Sequence, residues 1–366
     1  MPRILSVATA QPEHVVRQDE AREFCRALFG DAHADIDRLL DVFANTRIEE
    51  RRLAAPIDWF GSEHPFPERN ALYVVEAVRL AEVVARAALD HAGVAPRDVG
   101  HLIFVSTTGI ATPSLDARLM NRIDFSPHMR RTPVWGLGCA GGAAGLARAA
   151  EWARIESGTT VLLISVELCS LTFQVSDLSK SNLIATSLFA DGAAAVVVGG
   201  DDAREMSARL GERHGERISP RVGPRVVAAR STLFPDTEDV MGWEVNERGL
   251  KVIFSRDIPA IVRELVRENA EEFLAEHGLA LADVAHVVAH PGGTKVMSAY
   301  EEAFGLAPDA MRHAREVLRL AGNMSSPTVL FVLARFLDDP RVRPGDWGLL
   351  TALGPGFSSE LVLLRW

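Results

Sequence analysis

One short apolar segment occurs twice in this 366-residue chain, and the repeat constrains the fold more than any other feature. Asp98-Val99-Gly100-His101-Leu102-Ile103 returns in degenerate form as Asp283-Val284-Ala285-His286-Val287-Val288. Roughly forty residues after each copy a small-residue helix opens, at Cys139 in the first case and at Asn323 in the second. A match at a fixed offset is what internal duplication produces. Each helix precedes an apolar strand, over 161–165 or 347–353, and each half closes on another, over 193–198 or 360–366. The expectation is therefore two copies of one sheet-and-helix unit packed face to face, bringing Cys139 and Asn323 toward a shared pseudo-two-fold axis. The halves divide at a charged, Gly- and Pro-containing stretch: 1–200, a surface connection over 201–225, and 226–366.

Apolar β-branched runs alternate with helical patterns along both halves, which places the chain in the α/β class. The clearest helix runs from Leu72 to Gly93, where Val75, Val78, Ala81, Ala85 and Leu89 recur near the helical period and Gly93 stops it. Buried strands are expected over 101–105, 159–165 and 193–199, and a further strand over 131–135.

Three segments each present one reactive side chain. Trp135-Gly136-Leu137-Gly138-Cys139-Ala140-Gly141-Gly142 places a cysteine between a strand and an alanine-rich helix over 140–152. Unpaired N–H groups at such a junction lower a thiol pKa and favour the thiolate, whereas an inert buried cysteine, the reading of Cys25, would need no glycine around it. Ala289-His290-Pro291-Gly292-Gly293 puts a histidine at a strand end before a sharp turn. In Ala321-Gly322-Asn323-Met324-Ser325-Ser326-Pro327 an asparagine precedes a helix over 325–336, where an ordinary N-cap would look the same. Taken together, the three form a nucleophile and two donors aimed at one oxyanion. That set suits decarboxylation of a malonyl thioester and acyl transfer to sulfur without a metal.

Gly136-Leu137-Gly138-Cys139-Ala140-Gly141 also satisfies the dinucleotide fingerprint GxGxxG, with Glu167 at the end of the next strand as the ribose acceptor. That reading gives no role to a cysteine facing the pyrophosphate and leaves His290 and Asn323 unexplained. A net charge of −10 argues against a nucleic-acid partner. No apolar run is long enough to span a bilayer, and the N-terminus reads as a first strand, not a signal peptide. Three cysteines without CxxC spacing fit a reducing, cytoplasmic compartment and no metal site.

The chain resembles the type III polyketide synthases, the chalcone-synthase-like enzymes of the thiolase superfamily. The likeness rests on Gly138-Cys139-Ala140-Gly141-Gly142, Leu188-Phe189-Ala190-Asp191-Gly192-Ala193, His290-Pro291-Gly292-Gly293 and Gly322-Asn323-Met324-Ser325-Ser326, and runs from about Ile4 to Trp366. It implies a duplicated, αβαβα-layered thiolase fold, a homodimer, and coenzyme A thioesters as substrates with no further cofactor. Cys139 would be acylated, and His290 and Asn323 would drive malonyl decarboxylation. Phe189 matches a gatekeeping phenylalanine, and Thr172 and Ser325 match positions that shape the cavity.

Departures from the plant pattern carry the finer expectation. The second gatekeeper position holds Val252, a methionine crossing the plant dimer interface is matched by Thr112, and the plant Gly-Phe-Gly-Pro-Gly loop ends here in Gly354, Pro355 and Gly356. Arg47, Arg51 and Arg52 are the candidates for coenzyme A phosphates, with a solvated face as the alternative. These changes resemble the bacterial branch that extends fatty acyl starters. They imply a long-chain acyl-CoA extended two or three times by malonyl-CoA, delivered on coenzyme A or an acyl carrier protein, to an alkyl α-pyrone or alkylresorcinol. The rival is an initiating β-ketoacyl-carrier-protein synthase, with the same Cys-His-Asn set but a different tripeptide after the histidine.

Overall fold

The computed structural model describes residues 1–366 except 157, 201–222, 256, 257 and 308. The expected surface connection over 201–225 thus lies outside the described residues for all but its last three. Thirteen strands are present among the described residues: β1 (Arg3–Ala10), β2 (His14–Arg17), β3 (Glu50–Leu53), β4 (Val99–Val105), β5 (Arg130–Val134), β6 (Thr160–Leu168), β7 (Asp191–Gly199), β8 (Arg225–Leu233), β9 (Met241–Asn246), β10 (Gly249–Phe254), β11 (Val284–Ala289), β12 (Trp347–Gly354) and β13 (Ser358–Arg365). No helix among the described residues is long and apolar enough to cross a membrane.

Nine of the strands form one mixed sheet in the order β11-β12-β13-β8-β1-β7-β6-β4-β5. Its pairing repeats. β4 runs parallel to β6, β6 antiparallel to β7, and β7 antiparallel to β1; β11, β12, β13 and β8 pair in the same senses. The sequence echo at 98–103 and 283–288 therefore marks equivalent strands, β4 and β11. β5 has no counterpart among the named strands of the second half. The sheets of the two halves are not stacked face to face as expected but join edge to edge in one sheet, through the pair Arg3 and Arg225 on β1 and β8.

Two central helices, Gly141–Ile155 and Thr328–Leu337, pack on each other, and each lies against strands of both halves. Strands buried on both faces, such as β6 and β7, follow from this layering and explain their unbroken apolar runs. Alanine at 143, 144, 147, 149, 150 and 153 keeps the first helix thin. Where the helices come closest only glycine fits: a Cβ on Gly142 would stand 2.1 Å from the Ser326 carbonyl oxygen. Gly142→Ala is expected to cost about 3 kcal/mol through overpacking, read as a lower denaturation midpoint at unchanged slope.

The long helix spans Phe66–Ala92 and ends at Gly93, which adopts the left-handed conformation (φ 63°). It begins six residues before the apolar period becomes visible because Pro65 and Pro67 mark its first turn, where proline is tolerated. β9 and β10 form a separate hairpin with Val252 opposite Trp243 and Phe254 opposite Met241. Alternation along each strand puts all four side chains on one face.

Candidate active site

Cys139 lies in a 3₁₀ turn, Gly138–Ala140, that leads directly into the first central helix. The Gly138 N–H donates to Thr107 Oγ1 at 3.2 Å, tying this turn to the end of β4. The cysteine is buried, and its Sγ donates to Ser325 Oγ at 3.5 Å. Burial pushes the thiol up to about 12, outweighing the Ser325 hydrogen bond. The expected lowering by the helix terminus is thus overturned: desolvation of a thiolate costs more than one exposed-strength dipole interaction returns.

His290 follows β11, and its backbone N–H donates to the Thr351 carbonyl on β12 at 2.8 Å. Its ring is buried, and neither Nδ1 nor Nε2 has a protein partner among the described residues. Burial pushes the imidazole down to about 4. Burial thus pushes both groups toward their neutral forms. Alkylation of free Cys139 by iodoacetamide should keep accelerating beyond about pH 9, because reactivity follows the thiolate fraction. A plateau reached below neutrality would instead reveal a thiolate–imidazolium pair.

Asn323 stands five residues before the helix Thr328–Leu337, so it is not an N-cap. Its Oδ1 accepts from the Ser325 N–H at 2.8 Å, and its Nδ2 donates to the Gly292 carbonyl at 3.3 Å. Those two bonds fix which way the amide points and leave one N–H hydrogen to give. Ser325, at φ 58°, completes the tight turn that allows this.

Cys139, His290 and Asn323 line one chamber of about 350 Å³, part of it open to solvent, with Met241, Phe254 and Tyr300 among its walls. The first comes from one half and the other two from the second. A larger cavity of about 690 Å³ adjoins it, walled by Phe189, Thr172, Val252 and Trp243 together with Phe24, Ile57, Phe60 and Phe173. Phe189 of the larger cavity and Phe254 of the chamber meet edge to face, ring centroids 6.4 Å apart. The boundary thus consists of two phenylalanines. The aromatic partner expected to be missing at Val252 is supplied by Phe254, two residues on and on the same hairpin face. Strand alternation in Gly249-Leu250-Lys251-Val252-Ile253-Phe254 was the available signal.

Other expectations fare differently. Thr112 is exposed and lines neither cavity. Gly354 and Pro355 back the nucleophile turn instead of lining a cavity: a Cβ on Gly354 would lie 2.5 Å from that of Ala140, and one on Gly138 2.8 Å from Pro355 Cδ. Gly356 follows them in the turn between β12 and β13. Arg47 is exposed, and Arg52 donates to the Pro12 carbonyl at 3.5 Å. Arg51 is buried with its terminal nitrogens bound to protein acceptors, so it offers no surface charge to a phosphate.

Glu167 was considered above only as a ribose acceptor. It is fully buried on β6, where Oε2 accepts from the Thr107 and Thr108 backbone N–H groups at 2.9 and 3.0 Å, and Oε1 accepts from Ser326 Oγ at 2.8 Å. Burial pushes its carboxyl up to about 7 against those bonds. With both oxygens occupied it cannot bind a ribose, and the dinucleotide reading loses its acid. Instead it links the loop behind Cys139 to the segment carrying Asn323.

The comparisons agree with this geometry. The family model for the chalcone and stilbene synthase N-terminal domain matches residues 2–202, and that for the C-terminal domain residues 225–366. A putative chalcone synthase of Bacillus subtilis is 44% identical, covering 100% of this chain and 99% of the relative. A 1,3,6,8-tetrahydroxynaphthalene synthase of Streptomyces peucetius is 40% identical over 99% of this chain and 93% of its own length. The crystal structure of 1,3,6,8-tetrahydroxynaphthalene synthase from Streptomyces coelicolor, a bacterial type III polyketide synthase, superposes with a TM-score of 0.90 at 30% identity, covering 100% of this chain and 99% of that one. A full-length match of sequence and fold, joined to a cysteine, histidine and asparagine in one buried chamber, places the chain in the chalcone and stilbene synthase family, as a type III polyketide synthase, a decarboxylating condensing acyltransferase.

Proposed function

We propose that the enzyme primes Cys139 with a long-chain acyl-CoA, extends it with malonyl-CoA, and releases an alkyl α-pyrone or alkylresorcinol. The observation that carries this reading is the apolar cavity of about 690 Å³ adjoining the chamber at the Phe189–Phe254 pair. Each methylene buried there contributes about 0.8 kcal/mol, so longer alkyl chains bind more tightly until the cavity is full.

His290 takes the Cys139 proton as sulfur attacks the starter carbonyl. The imidazolium then returns that proton to the departing coenzyme A sulfur, leaving an acyl-cysteine thioester. During that step the carbonyl oxygen accepts from the spare N–H of Asn323. Malonyl-CoA next loses carbon dioxide, and its electron pair moves onto the thioester oxygen, which that N–H and the His290 ring N–H, in the tautomer facing it, hold as an enolate. The enolate carbon attacks the acyl-cysteine carbonyl and expels Cys139 as a thiolate, leaving a β-ketoacyl-CoA; the thiolate takes up one proton from solvent, and the longer chain returns to Cys139 by the same acyl transfer for another round. Burial strengthens both donors, and it favours the neutral His290 ring that can accept the first proton. Coenzyme A thioesters suffice for these steps without a further cofactor. The reading includes a homodimer, with exposed Thr112 on the surface that meets the second copy.

A second reading draws on the relatives. Three of them carry the name 1,3,6,8-tetrahydroxynaphthalene synthase, a product without an alkyl chain, so the second reading is an enzyme that uses no fatty acyl starter. One experiment separates the two: mass spectrometry of products formed from malonyl-CoA alone and with a panel of acyl-CoAs. Decanoyl and longer starters should give products two or three extensions heavier, with kcat/KM rising with chain length. An enzyme that ignores these starters, and turns over malonyl-CoA alone or short and aromatic starters, would contradict the long-chain assignment.

A further inference from the structure

Arg51 leaves β3 for the interior, only 2% exposed. Its guanidinium NH1 donates to the carbonyls of Thr186 and Phe189, the latter at 3.0 Å, and its NH2 donates to Gln18 Oε1 at 2.6 Å. Gln18, also buried, donates from Nε2 to the Ser187 carbonyl at 2.9 Å. The helix Lys180–Leu188 ends at these carbonyls, and Phe189 is its C-cap in extended conformation. Carbonyls of a last helical turn lack partners within the helix and carry the negative end of its dipole, so a buried cation is matched to them in both respects.

The next link is Asn323. Its backbone N–H donates to the Leu188 carbonyl at 3.0 Å, and its carbonyl accepts from the Ala190 N–H at 2.8 Å. These two bonds bracket Phe189 and form an isolated parallel bridge between Phe189 and Asn323. The segment that Arg51 pins is thus the one that grips the asparagine from both sides and carries the boundary phenylalanine. Among the described residues no comparable chain of hydrogen bonds joins Arg51 to Cys139, whose turn is held by Thr107 and the Gly354 turn.

We propose that Arg51 is a positioning residue for decarboxylation: by capping the Lys180–Leu188 helix it fixes residues 188–190 and, through them, the place of the Asn323 carboxamide in the chamber. The inference rests on the role given to Asn323 above. It also replaces a coenzyme A contact with an internal one.

The test is malonyl-CoA decarboxylation without starter, comparing Arg51→Lys with the wild type on protein shown to be folded by circular dichroism. Lysine keeps the charge but lacks the planar fork that reaches two carbonyls and Gln18 together. Decarboxylation kcat should fall about tenfold with KM within about threefold, because a misplaced donor loses stabilisation of the enolate more than substrate binding. The rate of Cys139 alkylation by iodoacetamide should stay within about twofold, which a general loosening of the fold would not allow. A wild-type kcat, a rise in KM alone as expected for a lost phosphate contact, or an equal loss in alkylation would each overturn the proposal. Should Arg51→Lys fail to fold, Gln18→Ala carries the same test, with a kcat loss of about threefold expected and an unchanged kcat overturning it. Asn323→Ala run alongside keeps the two ideas apart: if it decarboxylates normally, the role of Asn323 is wrong whatever the Arg51 variant does.

Discussion

Cys139→Ala is expected to abolish polyketide formation while leaving malonyl-CoA decarboxylation measurable. The variant removes the only side chain in the chamber that can hold the growing chain as a thioester, so elongation has no acceptor. Decarboxylation needs no sulfur, since the enolate oxygen is held by His290 and Asn323. A loss of at least about 10⁴-fold in product formation, with decarboxylation within about tenfold of the wild type, is the expected pattern. The volume freed at Cys139 is small and the turn is held by Gly138 and Ala140 contacts, so the fold should persist. If product formation survived, the nucleophile would lie elsewhere.

Removing the donors should invert that pattern. His290→Ala and Asn323→Ala are each expected to lower decarboxylation by about 10²- to 10³-fold, the usual cost of one oxyanion donor in a desolvated site. Alkylation of Cys139 should survive in both, because burial favours the neutral thiol and its side-chain hydrogen bond is to Ser325, not to the imidazole. The double variant should lose less than the product of the two single losses, as donors acting on one oxygen are not independent. Decarboxylation rates are read from carbon dioxide release, which needs no starter. A variant that decarboxylated at the wild-type rate would remove that side chain from the mechanism.

Much of this arrangement was legible in the residues because it depends on local spacing. The duplicated strand register, the helix stop at Gly93 and the glycines around Cys139 each follow from short-range geometry, and the structure bears them out. What escaped was set by burial. The strand–helix junction at Cys139 suggested an acidic thiol, but the same glycines and alanines that admit a thioester also exclude water, and desolvation raises the thiol. Arg51 looks like a surface cation beside Arg52, yet alternation along β3 turns one inward and leaves the other half-exposed. Glu167 reads as a strand-end acid, and only the packing of the two halves reveals four hydrogen bonds closing around it. The Phe189–Phe254 contact joins residues 65 positions apart, which no local pattern could pair.

The account stands most directly on where acyl groups attach. Brief incubation with decanoyl-CoA, followed by peptide mass spectrometry, should show the decanoyl mass on the peptide containing Cys139 and none on those containing Cys25, buried outside both cavities, or Cys169, which lines the larger cavity but not the chamber. An enzyme that forms product while Cys139 stays unmodified and the acyl group sits on another residue would contradict it.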